Sequence, residues 1–248
     1  MRARLKSLFG SDVNSSRKYL ERFVREAAAS LPEGARVLDA GAGDCLYRPL
    51  FDRVQYESAD FCQVDKKYGD ITYVCDLAAI PVEDCTYDLV LLTQVLEHVP
   101  HPLAVLRELH RVLKPGGEIW LSAPLYFYEH ETPHDYFRYT QFGLRYLVQA
   151  AGFALKRLEW MEGYYGTLSF QLAIARQHLP LRPNAYGGGL PGAVAAALAL
   201  LAKPVLHLFA VLLYRADLRA KHTASGHPKN YTVVAVKEDN SLALQGGH

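Results

Sequence analysis

Apolar positions along this chain follow two rhythms. Between Ser15 and Ser30, the residues Tyr19, Leu20, Phe23, Val24 and Ala27 recur at helical spacing, which predicts a helix stopped by Pro32 and Gly34. Next, "RVLDA" (36–40) is a short apolar run, the pattern of a strand buried on both faces of a parallel sheet. "VQYESADF" (54–61), "ITYVCDL" (71–77) and "YDLVLLTQ" (87–94) predict three more strands. "PLAVLRELHRVL" (102–113) is amphipathic, with Pro102 at its start and Leu103, Leu106, Leu109, Val112 and Leu113 on one stripe; "KPGG" (114–117) ends it. "EIWLSAP" (118–124) predicts a fifth strand, Thr140 to Ala151 a helix closed by Gly152, and "FALKRLEW" (153–160) and "NYTVVAVK" (230–237) two late strands. Strands alternating with helices predict an α/β fold around a mostly parallel sheet. In such sheets ligands bind beyond the carboxyl ends of the strands.

Residues 161–229 interrupt the rhythm between the last two strands. They comprise "YGTLSFQLAIARQHL" (165–179), a Pro/Gly-rich link "PLRPNAYGGGLPG" (180–192) and "AVAAALALLAKPVLHLFAVLLY" (193–214). The last run is apolar on every side, so it must be covered by something. Its length approaches the roughly 20 residues of a membrane span, but Lys203-Pro204 divides it, and a central lysine costs about 2.5–3.5 kcal/mol on insertion. The pattern predicts a helical pair or kinked helix that lids a site or lies at a dimer or membrane interface. Arg215, Arg219 and Lys221 stand ready for lipid phosphates. The expected division is an N-terminal helical segment over 1–34, a cofactor-binding domain over 35–160 plus 230–240, and a helical insertion over 161–229.

Charge sharpens this division. Net charge is +1, yet residues 1–25 hold seven Lys/Arg against two acids and residues 176–229 hold seven against one, while 26–175 hold twelve against twenty-one. Basic flanks of this kind suit an anionic surface. The near-neutral total and the absence of an "NPPY"-type motif argue against nucleic acid as partner. Cys45, Cys62, Cys75 and Cys85 form no CxxC pair and have no histidine at zinc spacing, so they read as reduced thiols of a cytoplasmic chain. The N-terminus carries basic residues without the apolar stretch of a signal peptide.

Candidate chemistry begins at "VLDAGAGDC" (37–45), where the first strand ends. Gly41 and Gly43 let backbone turn tightly and approach a ligand. A dinucleotide fingerprint needs a small residue three positions after Gly43, and Leu46 stands there, which disfavours a nicotinamide cofactor and an oxidoreductase. Asp60, near the end of the second strand, is placed to accept hydrogen bonds from ribose hydroxyls; Asp65 competes for that role if the strand ends later. Asp76 ends the third strand, and Asp76-Leu77 could flank a purine ring.

Taken in order, "VLDAGAGDC", "ESADF", "CDLAAIPVEDCTYDLVLLTQVLEHV" and "LRELHRVLKPGGEIWLSAP" resemble the class I S-adenosylmethionine-dependent methyltransferases, in the branch acting on small molecules, lipids and glycans. The resemblance covers roughly residues 35–160 and 230–237. It implies a Rossmann-like seven-stranded sheet of order 3-2-1-4-5-7-6 with helices on both faces. It also implies S-adenosyl-L-methionine as cofactor and in-line methyl transfer to an unidentified small-molecule, lipid or glycan acceptor. A cofactor-fold binding or partner module without activity is the alternative. By the same resemblance Asp39, Gly41 and Gly43 lie against the methionine part of the cofactor, Asp60 on the ribose, Asp76 and Leu77 beside the adenine, and Gln94 near the methionine end. Glu97 and His98 fall in the "LEH" element and read as structural. Where many members have a third glycine this chain has Cys45.

In that fold "LYFYEHETPHDYFRYT" (125–140) would lie over the reactive methyl, and "PHDYFRYT" resembles a segment of one methyltransferase subgroup. It is the expected acceptor pocket, with His134 or Asp135 as base and Tyr136 or Arg138 as positioning groups. Metal binding by His130 and His134 as a helical i,i+4 pair is not expected, because Pro133 and the lack of helical pattern rule against the helix.

Overall fold

In a computed structural model, residues 13–239 of the chain are described. The basic Arg2, Arg4 and Lys6 of the N-terminal flank, and residue 240 of the expected domain, lie outside the described residues. The chain divides into two units, one of Leu20–Met161 with the segment from Asn230, the other of Glu162–Lys229 with the segment up to Tyr19.

The first unit is built on a seven-stranded sheet. Its strands are β1 (Arg36–Ala40), β2 (Gln55–Asp60), β3 (Tyr73–Val74), β4 (Tyr87–Thr93), β5 (Leu113–Pro124), β6 (Ala154–Trp160) and β7 (Asn230–Val236), in the order β3-β2-β1-β4-β5-β7-β6. β7 runs antiparallel to β5 and β6, and the other pairs are parallel. The expected order holds. Helix α1 (Ser15–Ala29) enters this unit at Leu20; α2 (Pro102–Val112) and α3 (Gln141–Ala150) are its other α-helices among the described residues. Thr140 caps α3, its Oγ1 accepting from the Gly143 amide at 3.1 Å.

Side-chain alternation along the strands feeds two cores. Leu38, Val90, Leu92, Ile119 and Leu121 pack with Leu106, Leu109 and Val112 of α2 and Leu144 and Val148 of α3. Val37, Leu89, Leu91, Trp120 and Val234 pack with Phe23, Val24 and Ala27 of α1. The sheet is therefore buried on both faces, as near-continuous apolar strands require.

Two local readings change. The expected third strand shrinks to Tyr73–Val74, because beyond β2 it has no neighbour to pair with. Lys114–Gly117 does not separate helix from strand: β5 already begins at Leu113, and these residues bulge between the Tyr87–Leu113 and Leu89–Glu118 pairs, with Gly116 at φ +80°.

The second unit contains α4 (Tyr164–His178) and α5 (Gly189–Arg219). Of the two expected arrangements for the 193–214 run, the helical pair is absent; the run lies inside one 31-residue helix with Pro204 within it. Small residues of α4 allow close approach: Ser169 Oγ donates to the Ala210 carbonyl at 2.7 Å, and a side chain at Gly166 would collide with Asp217. Val13, Ala210 and Val211, with Leu172, Ala173 and Tyr214, form this unit's core. Nine large apolar residues of α5, from Leu190 to Leu212, remain 50–79 % exposed.

Candidate functional site

The parallel register sets the carboxyl ends of β1, β2, β3 and β4 side by side, so the loops after them share one edge of the sheet. At the end of β1 the chain turns through Gly41 (φ +77°) and Gly43 (φ +55°). The Gly41 amide donates to the Ala59 carbonyl at 2.7 Å, fastening the turn to β2. A Cβ at Gly41 would collide with the Val95 side chain, whereas at Gly43 it would meet open space. Cys45 adopts φ +57° and is buried, so the left-handed bend continues without a third glycine.

Asp60 is 3 % exposed and holds the turn. Its Oδ2 accepts from the Gly43 amide and its Oδ1 from the Cys62 amide, both at 3.0 Å. A carboxylate oxygen has two lone pairs, so both oxygens retain capacity for ligand hydroxyls. β2 ends at Asp60, which leaves the competitor Asp65 exposed in the following loop. Asp76 folds back to accept from the Ala78 amide at 2.8 Å, and Leu77 is buried beside it. Gln94, at φ +56°, is pinned to β5 by its amide on the Ser122 carbonyl and its Nε2 on Ser122 Oγ, each 3.0 Å.

These residues enclose a cleft of about 450 Å³ lined by Gly41, Asp60, Asp76, Leu77, Gln94, His98, His134 and Tyr136. That volume lies within the roughly 300–1,000 Å³ range of small-molecule and cofactor sites. A floor that rejects a Cβ at Gly41, a carboxylate at Asp60 and an apolar edge at Leu77 fit a nucleoside-bearing ligand. Asp39 does not line the cleft. It is buried behind β1, where Tyr56 donates to its Oδ2 at 2.6 Å; burial pushes its carboxyl up to about 6, and the Tyr56 hydrogen bond opposes that rise.

The 125–140 segment brings two of its three proposed catalytic residues to the cleft, His134 and Tyr136. The His134 Nδ1 and the Tyr136 hydroxyl are 3.3 Å apart, and the His134 ring meets Phe61 edge-on at 5.4 Å. Asp135 does not line the cleft. Its side chain is 3 % exposed, Arg138 grips it with Nη1 at 2.6 Å and Nη2 at 2.8 Å, and the His130 amide donates at 2.8 Å. The Arg138 hydrogen bonds outweigh burial and hold the carboxyl down at about 2. Arg138 is likewise a clamp, donating to the Phe127 and Tyr128 carbonyls as well.

Sequence reasoning assigned too little to Glu97 and His98. Both sit in the Leu96–His98 turn after β4, and the 125–140 segment is fastened to it: the Tyr136 amide donates to the Glu97 carbonyl at 2.8 Å, and the Tyr139 hydroxyl to that of Leu96 at 2.8 Å. Glu97 is fully buried, and burial raises its carboxyl to about 8. Its own backbone amide offsets part of that rise without meeting hydrogen-bond geometry. His98 lines the cleft, and burial holds its imidazole below the ordinary value. The signal was present as "LEH" at the end of the fourth strand, but only the fold brings His130 and His134 beside it.

The model of a family described as "Methyltransferase domain" matches residues 13–158. The ubiquinone biosynthesis O-methyltransferase of Xanthomonas oryzae pv. oryzae is 33 % identical over 102 residues, covering 36 % of this chain and 43 % of that protein. The protein of that description from Bordetella avium is 30 % identical over 116 residues, covering 40 % and 46 %. The chain thus spans under half the length of these relatives. Haemonchus contortus phosphoethanolamine N-methyltransferase 2, solved in complex with S-adenosyl-L-methionine, superposes with a TM-score of 0.51 at 16 % identity, over 91 % of this chain and 53 % of that one. At that identity the likeness concerns the fold alone.

Proposed function

This chain belongs to the S-adenosylmethionine-dependent methyltransferases, and from that premise we propose that it transfers a methyl group to a small amphipathic acceptor. The cofactor supplies an electrophilic methyl on a sulfonium. The chain's residues bind and orient. The Gly41–Gly43 turn and Gln94 receive the methionine end, Asp60 accepts from the ribose hydroxyls, and Asp76-Leu77 flank the adenine. Aligning acceptor, methyl carbon and sulfur in one closed site is worth up to about 7–11 kcal/mol. His134 would accept the acceptor's proton and Tyr136 would orient the acceptor; that both line the cleft supports these roles. An ionisable hydroxyl is the favoured acceptor group; ubiquinone O-methyltransferases among the relatives support it.

The convergence of Gly41, Asp60, Asp76, Leu77 and Gln94 on one cleft carries the reading. Calorimetry with S-adenosylmethionine and its demethylated product tests it. Wild type should bind both, and Asp60→Ala should lose about 1.5–3 kcal/mol of affinity, the scale of a hydrogen bond to a charged group. Unchanged affinity in the variant would exclude Asp60 from the ribose site, and no heat in wild type would end the proposal.

We also infer that the second unit, read as an insertion module, makes peripheral contact with an anionic membrane on the cytoplasmic side. Helix α5 is long and apolar enough to cross a bilayer, and most of its apolar stretch is not buried. Its one acid, Asp217, is buried, while Arg215, Arg219 and Lys221 follow the apolar run. Co-sedimentation should favour vesicles with anionic lipid over neutral ones. Equal partitioning with a dimer in solution would assign α5 to self-association instead.

A further inference from the structure

We propose that Glu97, His98 and His130 form a binding site for one divalent transition-metal ion. Each residue offers one ligand atom, and the three atoms lie within 4.8 Å of one another. Their hydrogen bonds leave the cluster without a donor. His98 Nδ1 lies 2.6 Å from the His134 carbonyl, an oxygen that only accepts, so Nδ1 carries the proton and Nε2 the lone pair. That Nε2 stands 3.8 Å from Glu97 Oε1. His130 Nδ1 lies 3.3 Å from the Tyr128 carbonyl and 3.4 Å from Asp135 Oδ2, again two acceptors, which leaves its Nε2 as the lone-pair nitrogen. The two imidazoles meet edge-on with centroids 4.6 Å apart.

Glu97 is the independent observation. Its side chain is fully buried, and neither carboxylate oxygen has a hydrogen-bond partner among the described residues. A buried carboxylate without donors is costly unless a cation or a proton neutralises it. Arg138 lies close enough to act on it electrostatically, but its guanidinium is spent on Asp135 and three carbonyls. Two imidazole nitrogens and one carboxylate oxygen suit manganese, iron, cobalt or zinc better than magnesium or calcium, which prefer all-oxygen sites. The backbone carbonyls and Asp135 behind the rings are the partners that ordinarily orient metal-bound histidines.

The site stands apart from the methyl-transfer reading. Only its use rests on that reading: His98 lines the cleft, so an acceptor hydroxyl bound to the ion there would give up its proton more readily.

The test uses the full chain, stripped with chelator and titrated with Co²⁺ while its visible absorption is followed, then with Zn²⁺ in competition. Wild type should bind one equivalent. Glu97→Gln, which keeps the side-chain shape, and His130→Ala should each lose about tenfold or more in affinity, whereas His178→Ala, at the exposed end of α4, should not. Both site variants should still bind the demethylated cofactor, which reports their folding and the methyltransferase reading separately. No stoichiometric Co²⁺ signal in wild type, or an unchanged one in Glu97→Gln, would overturn the metal site and leave a proton on Glu97 as its neutraliser.

Discussion

Gly41 and Gly43 look alike in the sequence and differ in the fold. Both have left-handed φ, at about 1–2 kcal/mol for a residue with a side chain. Only Gly41 also faces a neighbour, the Val95 side chain, and overpacking there adds about 1–3 kcal/mol. Gly41→Ala should therefore destabilise by about 2–5 kcal/mol and Gly43→Ala by about 1–2, measured as urea unfolding midpoints at constant slope. Equal losses would mean that Val95 yields freely and that the turn is set by φ alone. The Val95 contact also explains why a two-glycine motif, weak by itself, is demanding in this chain: the loop after β4 leans on the loop after β1.

At the scale of elements, the 125–140 segment has no helix or strand of its own, and side-chain clamps hold it. Asp135 is the centre of that clamp, with Arg138 on one side and the His130 amide on the other. A carboxyl held at about 2 against an ordinary 3.8 favours the folded form above the ordinary value, and the benefit is lost as pH falls through about 2. Asp135→Asn should thus lose about 2 kcal/mol at neutral pH, and the gap to wild type should narrow as pH approaches 2. Urea unfolding across that range measures the gap, and a gap independent of pH would show that the ion pair contributes little. The sequence marked this segment as dense in chemistry, and His134 and Tyr136 do reach the cleft. It could not tell Asp135 the base from Asp135 the clamp. That depends on where the Arg138 guanidinium lies, three residues on in a stretch without regular period.

For the whole molecule, cofactor binding and folding are linked. The demethylated cofactor at one hundred times its dissociation constant should stabilise the sheet unit by about 2.7 kcal/mol, read as a rise in its thermal midpoint that grows with ligand concentration. A midpoint that ignores the ligand would place the nucleoside elsewhere or nowhere. What the sequence determined by itself is periodic or local: where most strands and helices lie, that Gly41, Asp60 and Gln94 fall at or just beyond strand ends, and that residues 161–229 carry a long apolar run. Periodicity reports burial, and strand ends in a parallel sheet share one edge, so those residues had to converge. What only tertiary structure decided is chiefly the pairing of residues distant along the chain: Val95 against Gly41, and His130 beside Glu97 and His98. Such contacts leave no period in the sequence, because their geometry arises when separate loops are carried to the same edge by different strands.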